Sequence, residues 1–168
     1  MVCSDYTVPA EQVPVVDNQD IIFRKMQLHD LEQVSELEKR VFREPWSRQH
    51  LLHEILDKSI SFSFVVEKDE QVIGYALYWA ISDEAHIAKL AVDERYRRRK
   101  YGDFLLCSVL EEMRGQKVRV VYLEVRRSNI AAQSLYLKHG FKITGTRKNY
   151  YSNDQEDALL MSLSLKEG

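Results

Sequence analysis

The chain has 168 residues, enough for one domain with a substantial core. Apolar residues make up 45% and charged residues 30%, and 24 basic against 26 acidic groups leave a net charge of -2, the profile of a soluble globular protein and not of a general nucleic-acid binder, which would be more basic. No apolar run approaches the ~20 residues that span a bilayer, so neither a membrane nor a nucleic acid is an expected direct partner.

No Lys or Arg precedes Arg24, so the positive n-region of a signal peptide is missing, and no h-region follows. The segment 2–20 is polar, acidic and broken by Pro9 and Pro14. Residues 1–20 are therefore expected to form a flexible tail ahead of a single domain over 21–168. Cys3 and Cys107 fit a reducing compartment and no disulfide framework, and a cytoplasmic location is the simplest expectation.

Ile21-Ile22-Phe23-Arg24-Lys25 reads as a short first strand. After Asp30, the apolar residues Leu31, Val34, Leu37 and Val41 fall three and four apart, as on one face of a helix. Pro45-Trp46-Ser47 interrupts the pattern, and Ser47 is placed to cap a second helix carrying Leu51, Leu52, Ile55 and Leu56. Strands over 62–67 and 72–81, joined by the polar turn 68–71, predict a hairpin. A further strand covers 86–92. Leu105, Leu106, Val109, Leu110 and Met113 mark a helix that Gly115 should end. A strand over 118–125, a helix over 131–138 stopped at Gly140, and strands over 141–146 and 158–165 complete the chain.

The order β-α-α-β-β-β-α-β-α-β-β predicts an α/β fold of the α+β kind, built on one mixed sheet. The strand-helix-strand unit between Leu90 and Glu124 demands a parallel pair with a right-handed crossover, and the hairpins on either side demand antiparallel pairs.

Two stretches carry chemistry. In the first, five of the six residues from Arg95 to Lys100 are basic, and a helix follows at once. A helix N-terminus presents unbonded amides and the positive end of its dipole, which suits phosphate. A solvated charge run or a nuclear-targeting patch is the plain alternative. The second stretch is 122–141, an apolar strand that contains Glu124, then a polar turn with Asn129, then a short helix with Tyr136. Burial in such a strand would raise the Glu124 carboxyl toward useful base strength. The plain reading pairs Glu124 with Arg126 or Arg127 as a surface ion pair. For Tyr136 it is core packing, and for Asn129 a helix cap.

Arg97-Arg98-Arg99-Lys100-Tyr101-Gly102 resembles the acetyl-coenzyme A pyrophosphate loop of the GNAT N-acetyltransferase superfamily, Gln/Arg-x-x-Gly-x-Gly/Ala, with Lys100 standing where the middle glycine belongs. Leu-Glu-Val-Arg at 123–126, Ser128-Asn129, Ala131-Ala132, Leu135-Tyr136 and Gly140-Phe141 resemble its ribosomal-protein-alanine N-acetyltransferase branch. So do Pro45-Trp46-Ser47, Asp83-Glu84-Ala85, Ala91-Val92-Asp93, Arg147-Lys148-Asn149-Tyr150-Tyr151 and Glu156-Asp157-Ala158. The resemblance spans about residues 21 to 165 in the family's order.

The resemblance implies the GNAT acyl-CoA N-acyltransferase fold, a central mixed sheet with helices on both faces. It implies direct acetyl transfer from acetyl-CoA, without a metal, to a protein N-terminal amine, with the N-terminal alanine of a small-subunit ribosomal protein as the leading acceptor. Glu124 would be the base and Tyr136 the acid. Leu90, Ala91 and Val92 would hold the pantetheine arm and polarise the thioester. Arg97, Arg98, Arg99, Lys100, Tyr101, Gly102 and Asp103 would take the pyrophosphate, and Asn129 would contact the cofactor. Tyr150, Tyr151 and Trp46 would meet the acceptor peptide, although Trp46 reads equally as a core anchor and the tyrosines as strand-end aromatics. Lys100 must either keep an ordinary helical conformation or tolerate strain, because glycine serves where φ is positive or backbone approaches a ligand. The alternatives are a lysine or small-molecule amine acetyltransferase of the same fold, and a non-catalytic module that uses the basic turn to bind RNA or a partner.

Other signals are set aside. His50 and His53 lack a completing metal ligand, and His29, His86 and His139 look scattered. Cys107 falls among apolar helix residues, which argues against a cysteine ping-pong step.

Overall fold

The computed structural model describes residues 21–165; the expected flexible tail lies outside them. β1 (Ile21–Lys25) leads through a 3-10 turn into α1 (Leu31–Val41) and α2 (Arg48–Leu56). Asp30 fixes the first corner. Its buried carboxylate accepts two hydrogen bonds from Arg24, at 2.7 and 2.8 Å, and one from the Gln27 amide. Ser47 caps α2 by accepting from the His50 amide at 3.1 Å.

β2 (Ser61–Lys68) and β3 (Gln71–Ile81) form the expected hairpin, and its two turn residues, Asp69 and Glu70, both have positive φ. That is the backbone whose twist matches paired strands. β4 (Glu84–Val92) follows, then α3 (Tyr101–Gly115), β5 (Val120–Arg126), α4 (Ile130–Lys138), β6 (Lys142–Arg147) and β7 (Ala158–Ser164). β5 begins two residues later than the sequence pattern suggests. Val118 instead buries its side chain under α3, with its amide on the Met113 carbonyl.

The seven strands lie in the order β1-β2-β3-β4-β5-β7-β6, and every neighbouring pair is antiparallel except β4 and β5. α3 makes the crossover between that parallel pair. α3 and α4 cover one face through Leu105, Leu106, Val109, Met113 and Tyr136 against Ile87, Val121 and Leu123. α1 and α2 cover the other through Val34, Leu37, Leu51 and Ile55 against Val65 and Tyr75. Among the described residues no helix is long and apolar enough to cross a membrane.

Two irregularities shape the centre of the sheet. Tyr78 pairs with Ile87, but Leu77 pairs with Lys89, so Ala88 is an extra residue in β4. A bulge bends a strand and reverses which face its later residues meet. Beyond that point β4 and β5 part. Their register runs only from Glu84↔Val120 to Ile87↔Leu123, while β4 stays with β3 and β5 stays with β7 as far as Arg126. The sheet therefore opens into a cleft between residues 88–92 and 124–126.

Candidate active site

A cavity of about 510 Å³ passes through this opening, lined by both strands, the α1–α2 loop, α4 and the β6–β7 loop. Glu124, Tyr136, Asn129, Leu90, Trp46, Tyr150 and Tyr151 all line it. Residues far apart in the chain meet there because the parallel pair splits between the two helical layers.

Glu124 points to the α1/α2 side of the sheet. Its partners are not Arg126 or Arg127. Arg126 is taken by Asp154 and Glu156 at 2.9 and 3.0 Å, and Arg127 lies 3.7 Å from Asp157. Instead Oε2 of Glu124 lies 2.5 Å from Nε2 of His86, and Oε1 lies 3.7 Å from Arg147. The His86 hydrogen bond, with the charges of His86 and Arg147, holds the Glu124 carboxyl below its ordinary range and outweighs desolvation. Burial alone suggested the opposite direction. The acid is thus kept ionised, and a proton it receives can be shared with an imidazole.

His86 is the residue that sequence reasoning passed over. In the sheet it pairs with Tyr122, two residues from Glu124 and on the same face. Alternation along two adjacent strands could have found it once their parallel register was known. Its ring stacks on Trp79 at 5.6 Å, Trp79 on Trp46 at 6.1 Å, and Trp46 on His50 at 4.0 Å. Trp46 is therefore both a packing anchor and part of the cavity wall.

A second missed group, Glu38, fixes that wall. Its carboxylate is fully buried and accepts from the Trp46 amide at 2.7 Å, from Lys89 at 2.6 Å and from the Tyr75 hydroxyl. The Lys89 ammonium also lies 3.9 Å from the centre of the Phe42 ring. One acid thus joins α1, the loop after it, β3 and β4. The signal was a glutamate on the α1 face that carries Val34 and Leu37.

Tyr136, on α4, is buried beside Phe141 with ring centres 5.6 Å apart, and burial pushes its phenol well above its ordinary value. It stays protonated at any working pH. Asn129 caps α4 through a hydrogen bond from the Ala132 amide at 3.1 Å. Tyr150 and Tyr151 stand edge to face at 5.1 Å, with Arg147 over the first and Arg126 over the second.

The basic turn sits at the N-terminus of α3. Lys100 has φ 65° and provides no side-chain cap, and Arg98 has φ 59°. Of the two options open to Lys100, the chain takes the strained one. Asp93 anchors the turn from below. Arg95 hydrogen bonds first, then other positive neighbours, lower its carboxyl to about 2. Tyr101 is buried against Tyr96, so its ring belongs to the core. The Asp103 carboxylate bonds Lys138 at 2.6 Å and His139 at 2.8 Å, tying α3 to the end of α4. The Tyr101 and Asp103 side chains are thereby both engaged within the fold. Cys107 is buried 3.7 Å from His139, with its thiol pushed up by desolvation, and it lies outside the cavity lining. Among the described residues no three His, Cys, Asp or Glu side chains gather as a metal site.

A family model described as "Acetyltransferase (GNAT) family" matches residues 31–141. The chain belongs to that family. A Bacillus subtilis protein, provisionally named as a [ribosomal protein bS18]-alanine N-acetyltransferase, is 38% identical over 144 residues, covering 86% of this acetyltransferase and 95% of the relative. The crystal structure of the ribosomal-protein-S18-alanine N-acetyltransferase from Escherichia coli superposes with TM-score 0.81 at 29% identity, covering 88% of this chain and 96% of that one. The PaiA N-acetyltransferase of Thermoplasma acidophilum, solved in complex with coenzyme A, shares the fold at TM-score 0.73 and 22% identity, over 86% of this chain and 99% of that one.

The groups present in this acetyltransferase fit acetyl-CoA. The splay leaves residues 88–92 without β5 as a ladder partner, which suits an amide-bearing arm. The uncapped start of α3 beside Arg97, Arg98, Arg99 and Lys100 suits a pyrophosphate.

Proposed function

We propose that the chain moves the acetyl group of acetyl-CoA directly onto the N-terminal amine of a protein, with the N-terminal alanine of ribosomal protein bS18 as the leading acceptor. The observation that carries this reading is the His86–Glu124 pair lining the same cavity as Tyr136, where the sheet splits. The bacterial and E. coli relatives named for bS18 alanine acetylation support the choice of acceptor. A protein that modifies ribosomes works in the cytoplasm, which is the location inferred for this chain.

Acetyl-CoA supplies an activated thioester. Residues 90–92 would hold its arm and turn amides toward the carbonyl oxygen as negative charge grows there. The basic turn and the first amides of α3 would bind the pyrophosphate, and Asn129 would brace the arm beside α4. An α-ammonium has a pKa of about 7.7–8.0, against about 10.4 for lysine, so the neutral acceptor is within reach of one ionised carboxylate. Glu124 accepts the proton released as nitrogen bonds to the carbonyl carbon, and His86 shares it. Tyr136 gives its proton to the departing sulfur. Trp46, Tyr150 and Tyr151 border the acceptor side.

The test is mass spectrometry of two peptides incubated with acetyl-CoA. One is the bS18 N-terminus with a free amine; the other is the same peptide with a blocked N-terminus and an internal lysine. Acetylation of the first alone is expected. Equal modification of both would sink the α-amine assignment.

A further inference from the structure

Beside the cavity lies a second depression of about 480 Å³, and the two share the Trp79 and His86 side chains. Its walls include Ile60, Ile81 and Tyr122, which are 36%, 65% and 39% exposed. These are three of the ten large apolar side chains exposed among the described residues, brought together in one place. Apolar groups gathered in a concave site are more informative than the same groups scattered. The rest of the lining carries Asp83 and Glu84 and neither lysine nor arginine. Glu84 accepts from the Tyr122 hydroxyl at 3.4 Å, which fixes one acid beside one apolar wall.

The floor is built to hold its shape. It is the turn between β3 and β4, in which Ser82 has positive φ and the Asp83 carbonyl accepts from the amides of both Arg119 and Val120. The stacked His86 and Trp79 rings, 5.6 Å apart, belong to the lining of both this depression and the cavity that holds Glu124. An extended chain advances ~3.3 Å per residue, so passing the two stacked rings takes about two residues or more.

We propose that this depression is a second subsite of the acceptor cleft. It takes an apolar side chain flanked by lysine or arginine, a few residues after the N-terminus that receives the acetyl group. The assignment rests on the reading that the acceptor is a polypeptide N-terminus. Two observations favour that occupant: the depression adjoins the active-site cavity through Trp79 and His86, and its lining carries two acids and neither lysine nor arginine. An apolar side chain meets Ile60, Ile81 and Tyr122, and its cationic neighbour meets Asp83 and Glu84.

The full chain can be tested on three alanine-led hexapeptides whose positions three to five read Leu-Arg-Arg, Leu-Glu-Glu or Ser-Gly-Ser. For the wild type, KM is expected to be lowest for the apolar-basic peptide and higher by about two- to fivefold for the acidic one, the size of an exposed charge pair, with similar kcat. Glu84→Lys should bring that ratio close to one. Ile81→Ser should raise KM for both leucine peptides relative to Ser-Gly-Ser. Both residues are exposed, and a thermal melt checks the fold of each variant. Equal KM for the three peptides, or a preference that survives both substitutions, overturns the subsite. So does self-association through this face that leaves peptide KM insensitive to charge. Failure of the underlying reading looks different: no free N-terminus is acetylated, while lysine or a small amine is.

Discussion

Tyr136→Phe separates chemistry from folding more cleanly than any other single change. It removes one oxygen and keeps the ring against Phe141. Among the described residues nothing hydrogen-bonds that hydroxyl, so its loss leaves no buried partner unpaired. The stability cost is therefore at most ~1 kcal/mol, or a fall in Tm of up to about 4 °C for a chain of this size. A positioned general acid contributes about 10²–10⁴ in rate, which is about 2.7–5.4 kcal/mol of barrier. Coenzyme A release should be followed with a thiol reagent in a stopped assay, using a free-N-terminal peptide, beside a thermal melt. The expected result is a fall in kcat of at least about a hundredfold with little change in either KM. The deficit should narrow as pH rises past about 8.5, where a thiolate departs without a proton. A kcat within about threefold of the wild type, below what general-acid catalysis supplies, would refute the proton-donor role. A large fall in Tm would refute the claim that the hydroxyl has no structural task.

Three further outcomes follow from particular contacts. Glu124→Gln should lower kcat/KM by about a hundredfold. Because the folded carboxyl is depressed below its ordinary 4.5, its share of stability is present above that pH and is lost as pH falls through the folded value. Denaturant melts should therefore separate wild type from Glu124→Gln at pH 7 and converge as acid protonates the folded carboxyl. Gly74→Ala would put a Cβ 2.9 Å from the Ala91 carbonyl oxygen, forcing β4 to move where the thioester is expected. A loss of about 1–3 kcal/mol in a melt is expected, together with a raised KM for acetyl-CoA. Lys100→Gly relieves the left-handed backbone and should match or exceed wild-type stability by up to ~1 kcal/mol, whereas Lys100→Val should fall below it, as paired calorimetric scans would read.

The element order was legible because each strand and helix carries its own period. Leu31, Val34 and Leu37 mark a helix face without reference to anything else, and Ser47 marks a helix start by its hydroxyl. Glu124, Asn129 and Tyr136 were legible as a group because they sit within one strand-turn-helix unit. His86 and Glu38 were not, since their meaning depends on partners 38 and 37 residues away. The direction of the Glu124 shift failed for the same reason. Burial can be guessed from an apolar strand, but the histidine on the neighbouring strand cannot be seen until the register is fixed. Arg126, an alternative partner for Glu124 on sequence grounds, turns instead to Asp154 and Glu156 in a loop whose path no local pattern predicts.

The bulge at Ala88 explains why these scattered residues work as one site. Acetyl transfer needs two substrates to reach one point from opposite sides of a sheet that normally separates them. Along a regular strand, His86, Ala88, Leu90 and Val92 would share a face. The inserted residue reverses that alternation, so His86 looks toward α1 and α2 with Glu124, while Leu90 and Val92 pack with the α3 layer. Lys89 and Ala91 then turn toward α1, where Glu38 neutralises the ammonium. The same irregularity coincides with the end of β4–β5 pairing, which frees the backbone of 88–92 toward the gap. A buried ion pair is weak support for stability, because apolar side chains of similar size serve as well. The Glu38–Lys89 pair is better understood as what holds the bulged strand and the Trp46 loop in register with each other, beside the opening of the sheet that His86 and Glu124 line.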